Sequence, residues 1–201
     1  MEQNVLIDQG EDLAIVIGEQ EAGELLGCGV SLLLCPVPEH EWNSLLSPWP
    51  ADPIVRNAPP FAGHAEEYFS SLLPELQQAS LHTTGRMFLC GYSLAGLFAL
   101  YACTKTDLFD GCASVSGSLW YPGWTDWLRT HPVLCSRVYL SVGEKEKNTR
   151  NPIMRTVEDN TLACEQIISA GAETFFERNP GGHFDNPSQR LRKAISWLAR
   201  K

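Results

Sequence analysis

Residues 86–101 read RMFLCGYSLAGLFALY, and this stretch decides the fold. It divides into an apolar run, Met87–Cys90, a Gly-x-Ser turn, and a segment, Leu94–Thr104, that is apolar almost all round, as a helix packed under a sheet would be. A strand that enters a tight turn and leaves as a helix sets Ser93 at the tip. The turn forces an unusual backbone conformation on that serine, so its neighbours must be small where the helix packs back on the strand. Gly91, Ala95 and Gly96 meet the requirement. Such a turn lifts the Ser93 hydroxyl clear of the sheet. It also aims the Leu94 backbone N–H, at the helix N-terminus, at any oxyanion formed on a carbonyl that Ser93 attacks. The usual motif is G-x-S-x-G, and here Ala95 stands at the second glycine position. The plain alternative is a serine capping a buried helix.

Outward from this stretch, short apolar blocks alternate with helix-like segments. Strands are expected at Leu13–Ile17, Val30–Leu34, Met87–Cys90, Gly111–Val115, Val138–Val142 and Thr174–Glu177. Between them, Ala65–Ala79 places Tyr68, Leu72, Leu73 and Leu76 on one helical face, with Pro74 a weak point in its middle. Asn151–Ala170 and Pro187–Arg200 are also amphipathic. The latter carries Leu191, Ala194, Ile195 and Leu198, with basic residues expected towards its C-terminal end, where the helix dipole favours them. This alternation predicts a three-layer α/β sandwich on a mostly parallel sheet, a single domain over residues 1–201 without a separate lid. Pro36–His64, with Pro38, Pro48, Pro50, Pro53, Pro59 and Pro60 inside it, reads as a long loop, and Trp42 and Trp49 favour an ordered one.

Composition narrows the function. Hydrophobic residues make up 44% and charged residues 19% of the 201-residue chain, enough apolar surface to fold. A net charge of −9 repels nucleic acid and anionic membrane surfaces, so neither is expected as a partner. The start, MEQNVLIDQGEDLAIVIG, has acids where a leader peptide needs a basic region, and no apolar run approaches the ~18–20 residues that span a bilayer. A cytoplasmic location is expected. The cysteines, Cys28, Cys35, Cys90, Cys103, Cys112, Cys135 and Cys164, show no C-x-x-C pair and read as reduced core residues. The histidines show no H-E-x-x-H spacing, and neither a cofactor nor a metal is expected.

A serine hydroxyl needs an imidazole within reach to take its proton. His183, in NPGGHFDNP (179–187), is the candidate base, on a glycine-rich loop between the last strand and the last helix. Gly181 and Gly182 allow the backbone to bend the ring back to Ser93. His40, His64, His82 and His131 are alternatives whose simpler reading is surface or loop histidine. The group that orients the imidazole should lie between Ser93 and His183 in the chain. RVYLSVGEKEK (137–147) ends in acids after a glycine at a strand end; Glu146 is the first choice and Glu144 the second. Their simpler reading is a solvated loop interleaved with Lys145 and Lys147. Asp159, in a helical segment, is a weaker candidate.

Taken together, these residues resemble the putative esterase, or esterase D-like, branch of the α/β-hydrolases, which includes siderophore, feruloyl and acetyl esterases and mycolyltransferases. The likeness runs from about Leu13 onward and rests on GYSLAG (91–96), VSGSLWY (115–121), VGEKE (142–146) and GGHF (181–184) in that order. It implies an α/β-hydrolase fold and a triad of Ser93, His183 and the acid three places after Gly143, which is Glu146. The N-terminal part is short, and the opening antiparallel strands of the family are expected to be lacking. The resemblance puts the second oxyanion donor after an early strand, near Gly18-Glu19-Gln20, with Glu19 the candidate. It also likens Pro36–His64 to a substrate-side loop. Tyr92, Trp120 and Trp42 are the candidate substrate contacts, and Tyr121 and Trp49 further candidate walls, although plain packing explains each aromatic alone. The activity implied is hydrolysis of a small-molecule carboxylic ester. Acyl transfer to an alcohol is the alternative within the class, and a non-catalytic binding protein of the same fold is the alternative outside it.

Overall fold

Runs of Val, Ile, Leu and Cys with no polar face make strands only where both faces of a sheet are covered. The computed structural model of the chain, which describes residues 4–7, 10–18, 22–54 and 58–200, has this arrangement. A short strand β1 (Val5–Ile7) precedes β2 (Leu13–Ile17), α1 (Ala22–Leu25) and β3 (Ser31–Cys35). The proline-rich segment holds α2 (Trp42–Leu45) and the small strands β4 (Pro50–Ala51) and β5 (Phe61–Ala62). Helices and strands then alternate through α3 (Ala65–His82), β6 (Met87–Tyr92), α4 (Leu94–Cys103), β7 (Gly111–Val115), α5 (Trp124–Thr130) and β8 (Arg137–Gly143). The last elements are α6 (Val157–Ile168), β9 (Glu173–Asn179) and α7 (Pro187–Leu198).

Seven strands form the main sheet, in the order β1-β3-β2-β6-β7-β8-β9, and only β1 runs antiparallel to its neighbour. The chain steps from β2 to β3 in one direction, then returns to the other side of β2 at β6 and continues outward to β9. Strand order therefore reverses between β2 and β6. A crevice opens beyond the C-terminal ends of the strands at such a point. Gly18 and Ser93 immediately follow those two strands.

The period-two alternation of side chains divides the core. Leu13, Ile15 and Ile17 of β2, with Met87 and Leu89 of β6, face the cluster formed with α3 to α6. Ala14 and Val16, with Phe88, Cys90 and Tyr92, face the cluster formed with Leu25 of α1 and Leu191, Ala194, Ile195 and Leu198 of α7. Every residue of α4 is buried, as its uniformly apolar sequence requires. Burying a side chain such as Leu97 or Phe98 there contributes roughly 1.5–3 kcal/mol relative to leaving it in water. Pro74 is tolerated inside α3 on its solvent face, where Ser70, whose carbonyl loses its helical donor, is itself an exposed residue.

The structure departs from expectation in several places. An antiparallel opening strand is present, β1, paired on β3 with Val5 opposite Leu34. The stretch 36–64 is not all loop, since α2 and the β4–β5 ribbon lie within it, and α5 was not foreseen. Helix α6 begins at Val157, after a 3-10 turn at Met154–Thr156, because Asn151 Oδ1 accepts the N–H groups of Ile153 and Met154 and holds a local turn ahead of it. In α7 the basic residues Arg190, Arg192 and Lys193 lie within the first two turns, and the last turn has none. All seven cysteines are free.

Candidate active site

Ser93 occupies the tip between β6 and α4 with φ 59° and ψ −124°, a conformation an L-residue holds only when its surroundings fix it. They do so through four backbone hydrogen bonds. Ser93 N–H donates to the Val115 carbonyl (3.0 Å), and the Ser93 carbonyl accepts from Gly96, Leu97 and Ser118 N–H (3.0, 3.3 and 2.9 Å). The 115–121 block thus supports the turn from the neighbouring strand. Leu94 is the first residue of α4, so its N–H has no intrahelical acceptor and is available to an oxyanion.

His183 is brought to Ser93 by the loop between β9 and α7. Its Nε2 lies 3.0 Å from Ser93 Oγ, and its Nδ1 lies 2.8 Å from Glu146 Oε2. With a carboxylate on Nδ1, that nitrogen carries the proton, which leaves Nε2 as acceptor for the serine hydroxyl. The loop is held at every carbonyl from 179 to 183. Those of Asn179 and Gly181 accept the Glu144 and Lys145 N–H groups (both 2.9 Å), Pro180 and Gly182 accept from Arg190 (2.9 and 2.8 Å), and His183 accepts the Tyr92 hydroxyl (2.5 Å). Of the two glycines only Gly181 takes a positive φ, 91°, and a side chain there would strike Asp185, whose carboxylate accepts the Gly182 N–H.

Of the acids weighed from sequence, Glu146 is the one hydrogen-bonded to His183. Glu144 and Asp159 are exposed. Glu146 is nearly buried; its Oε1 accepts the Gly143 N–H at 2.6 Å and lies 3.2 Å from Arg190. Burial raises its affinity for a proton, but the His183 contact and the Gly143 N–H outweigh it, and the carboxyl is held below its usual range. An ionised carboxylate is the form that stabilises an imidazolium. Glu146→Gln is accordingly expected to lower kcat by roughly 10²- to 10⁴-fold, whereas Glu144→Gln leaves it within about twofold, as steady-state ester hydrolysis will show.

The other sequence candidates divide. Trp42 lies over Gly18, where a Cβ would come within 2.8 Å of its ring, so it roofs the end of β2. Trp120 is buried among Phe61 and Tyr121. Tyr121 in turn donates its hydroxyl to the Trp49 carbonyl (2.5 Å), while Trp49 Nε1 donates to the Pro122 carbonyl (2.9 Å), which ties the proline-rich segment to the start of α5. Tyr92 points the other way from that wall, because alternation along β6 sends it to the α7 side with Phe88 and Cys90, and its hydroxyl is spent on the His183 loop. Its expected role as a substrate contact is therefore corrected to support of that loop. Glu19 lies outside the described residues, and the Gly18 N–H before it is taken by the Cys35 carbonyl (2.9 Å). His64 pairs with Ser44, His82 with Gln78, and His131 stacks on Trp127. His40 is exposed.

Sequence reasoning missed Phe184, which is 90% exposed and sets its ring edge-on to His183 at 5.1 Å, and Arg190. The signal for Arg190 was its position in the first turn of α7 beside Leu191, where the helix dipole disfavours a cation unless a carboxylate is near. Among the described residues, no group of three or more His, Cys, Asp or Glu side chains is placed to hold a metal ion. No helix there is long and apolar enough to cross a membrane.

A mostly parallel sheet with helices on both faces and a serine on a strand–turn–helix elbow at its switch point define an α/β-hydrolase-type protein. Residues 35–187 match the family described as "Putative esterase", and the chain belongs to that family of carboxylic ester hydrolases. Solved structures agree in fold. The siderophore hydrolase EstA of Aspergillus nidulans is 17% identical with a TM-score of 0.69, over 96% of this chain and 84% of that one. The BES protein of Bacillus cereus is 17% identical with a TM-score of 0.67, over 97% and 85%. The enterobactin esterase FES of Shigella flexneri is 19% identical with a TM-score of 0.66, over 97% of this chain but 54% of that one. No curated protein matches the chain in sequence.

Proposed function

We propose that the chain is a single-domain serine esterase that cleaves small-molecule carboxylic esters through an acyl-enzyme on Ser93. The observation that carries this reading is the continuous line from Glu146 through His183 to Ser93, at 2.8 and 3.0 Å. Ser93 Oγ attacks the ester carbonyl as its proton passes to His183 Nε2, and the Leu94 N–H receives the developing oxyanion. Collapse of the tetrahedral intermediate expels the alcohol, which takes the proton from Nε2. Water, deprotonated by the same nitrogen, then attacks the acyl carbonyl and restores Ser93. Glu146 keeps the imidazole in the right tautomer and offsets its transient charge. Residues after β2 would supply a second oxyanion donor, with Glu19 the position of choice.

A fluorophosphonate probe is expected to label the folded protein once, at Ser93, and a series of p-nitrophenyl esters of increasing acyl length should be hydrolysed with burst kinetics. Enterobactin belongs in the same panel, since FES is named as an enterobactin esterase. Folded protein that takes no label and hydrolyses no ester would refute the proposal. Adding short alcohols separates hydrolysis from acyl transfer by the ester product formed.

A further inference from the structure

We infer that Arg190 is a positioning residue of this site, fixing the His183 loop and sharing the charge of Glu146 with the imidazole. The inference rests on the Ser93–His183–Glu146 reading above. Arg190 is 2% exposed, an extreme position for a cation and one tolerated only when its donors are met. One terminal nitrogen, Nη1, reaches Ser116 Oγ (2.9 Å), Glu146 Oε1 (3.2 Å) and Tyr92 Oη (3.3 Å). The other, Nη2, donates to the carbonyls of Pro180 (2.9 Å) and Gly182 (2.8 Å), on either side of Gly181. Tyr92 passes the support on by donating to the His183 carbonyl. One guanidinium thus joins α7, the ends of β6 and β7, the acid loop after β8 and the histidine loop after β9.

The planar fork explains why the residue is arginine. Two nitrogens fixed in one plane can hold the Pro180 and Gly182 carbonyls with one and Glu146 with the other, whereas a lysine ammonium acts as a point charge. Electrostatics supplies the second part. Glu146 Oε1 faces Arg190 while Oε2 faces His183, so the carboxylate is divided between two cations whenever the imidazole is protonated. Arg190 therefore competes with the imidazole for the charge of Glu146. The remaining ionisable groups around the loop are Asp185, on the Gly182 N–H; the Lys193–Glu177 pair beside Asn179; Glu144 and Lys145 on the facing turn; and Tyr92, whose phenol burial keeps neutral.

The test compares Arg190→Met and Arg190→Lys with wild type, using kcat, KM and the dependence of kcat/KM on pH. For Arg190→Met, kcat is expected to fall about 10- to 100-fold with KM little changed. The acid limb of its kcat/KM profile should move to higher pH by roughly one unit, because the undivided carboxylate now favours the imidazolium. Arg190→Lys should lose kcat similarly while its acid limb stays within a few tenths of wild type, since it keeps the charge but not the fork. General loosening of the loop would lower kcat and weaken the His183–Glu146 contact, which moves the limb down. A limb that stays or falls in Arg190→Met, or full kcat in Arg190→Lys, overturns the inference. Should Arg190→Met fail to fold, the Arg190→Lys kcat and limb decide alone. Wild type reports on the underlying reading separately: if it neither labels nor turns over, that reading fails, and if it does both while the variants match it, only the role of Arg190 fails.

Discussion

Replacing Ser93 with alanine will lower kcat for ester hydrolysis by about 10⁴-fold or more and leave the fold intact. The magnitude follows from what is removed. In the proposed mechanism the hydroxyl, 3.0 Å from His183 Nε2, becomes the nucleophile once its proton is taken, and no acyl-enzyme would form without it. What remains is the oxyanion donor and substrate positioning, which together still exceed water by a modest factor. Stability should change little, because the four hydrogen bonds that hold the turn are made by the Ser93 backbone. Alanine at φ 59° bears the same strain as serine. The combined Ser93→Ala, His183→Ala protein should be no slower than either single variant, since the two act as a unit. A Ser93→Ala enzyme within tenfold of wild type at an unchanged Tm would assign the nucleophile elsewhere.

Ser93 and His183 were legible because each sits in a local pattern with a backbone reason: an elbow flanked by small residues, and a glycine-bent loop ahead of a helix. The acid was less so. Glu144 and Glu146 are both two-carbon carboxylates on one turn, and the difference between them is that Glu146 folds back onto the Gly143 N–H and under His183, while Glu144 points to solvent. The residue types alone do not encode that; only the family resemblance, which puts the acid three places after Gly143, separates the two in sequence. Tyr92 could have been placed from sequence, since period two along β6 puts it with Phe88 and Cys90 on the α7 side. Arg190 is harder to see beside Arg192 and Lys193, because a buried arginine and two exposed cations read alike in sequence; its place in the first turn and its phase, four residues before Ala194 on the apolar face, set it apart. Helix α5 and the β4–β5 ribbon carry no clean periodicity, and the contacts of the Trp49 ring with Tyr121, Trp124 and Trp127 are what join them.

Gly91→Ala is expected to destabilise the protein by about 3 kcal/mol or more, to lower Tm by roughly 6–12 °C and to cut kcat about 100-fold in whatever remains folded. A Cβ at Gly91 would come within 2.8 Å of Gly96 N and closer still to the Ala95 carbonyl, so it meets the backbone of the first turn of α4, which has no rotamer to yield. Relief requires α4 to move away from β6, and that movement carries Leu94 N–H and Ser93 with it. Gly96→Ala should cost less, because its Cβ would approach the Gly91 carbonyl and Ser114 Oγ at 3.0 Å, distances a small shift absorbs. Gly171→Ala is the control. Nothing lies within 4 Å of its Cβ and its φ is ordinary, so its Tm should stay near wild type. Thermal melts of the three variants, with kcat measured below the lowest Tm, give the ranking; Gly91→Ala melting with Gly171→Ala would disprove the close approach. The same geometry accounts for Ala95 in place of the motif's second glycine. It is the carbonyl of residue 95 that presses on Gly91, whereas its methyl group points towards Gly18, whose own Cβ, if present, would be 4.0 Å away. The turn demands a missing side chain at 91, not at 95, and the motif is intact where the backbone requires it.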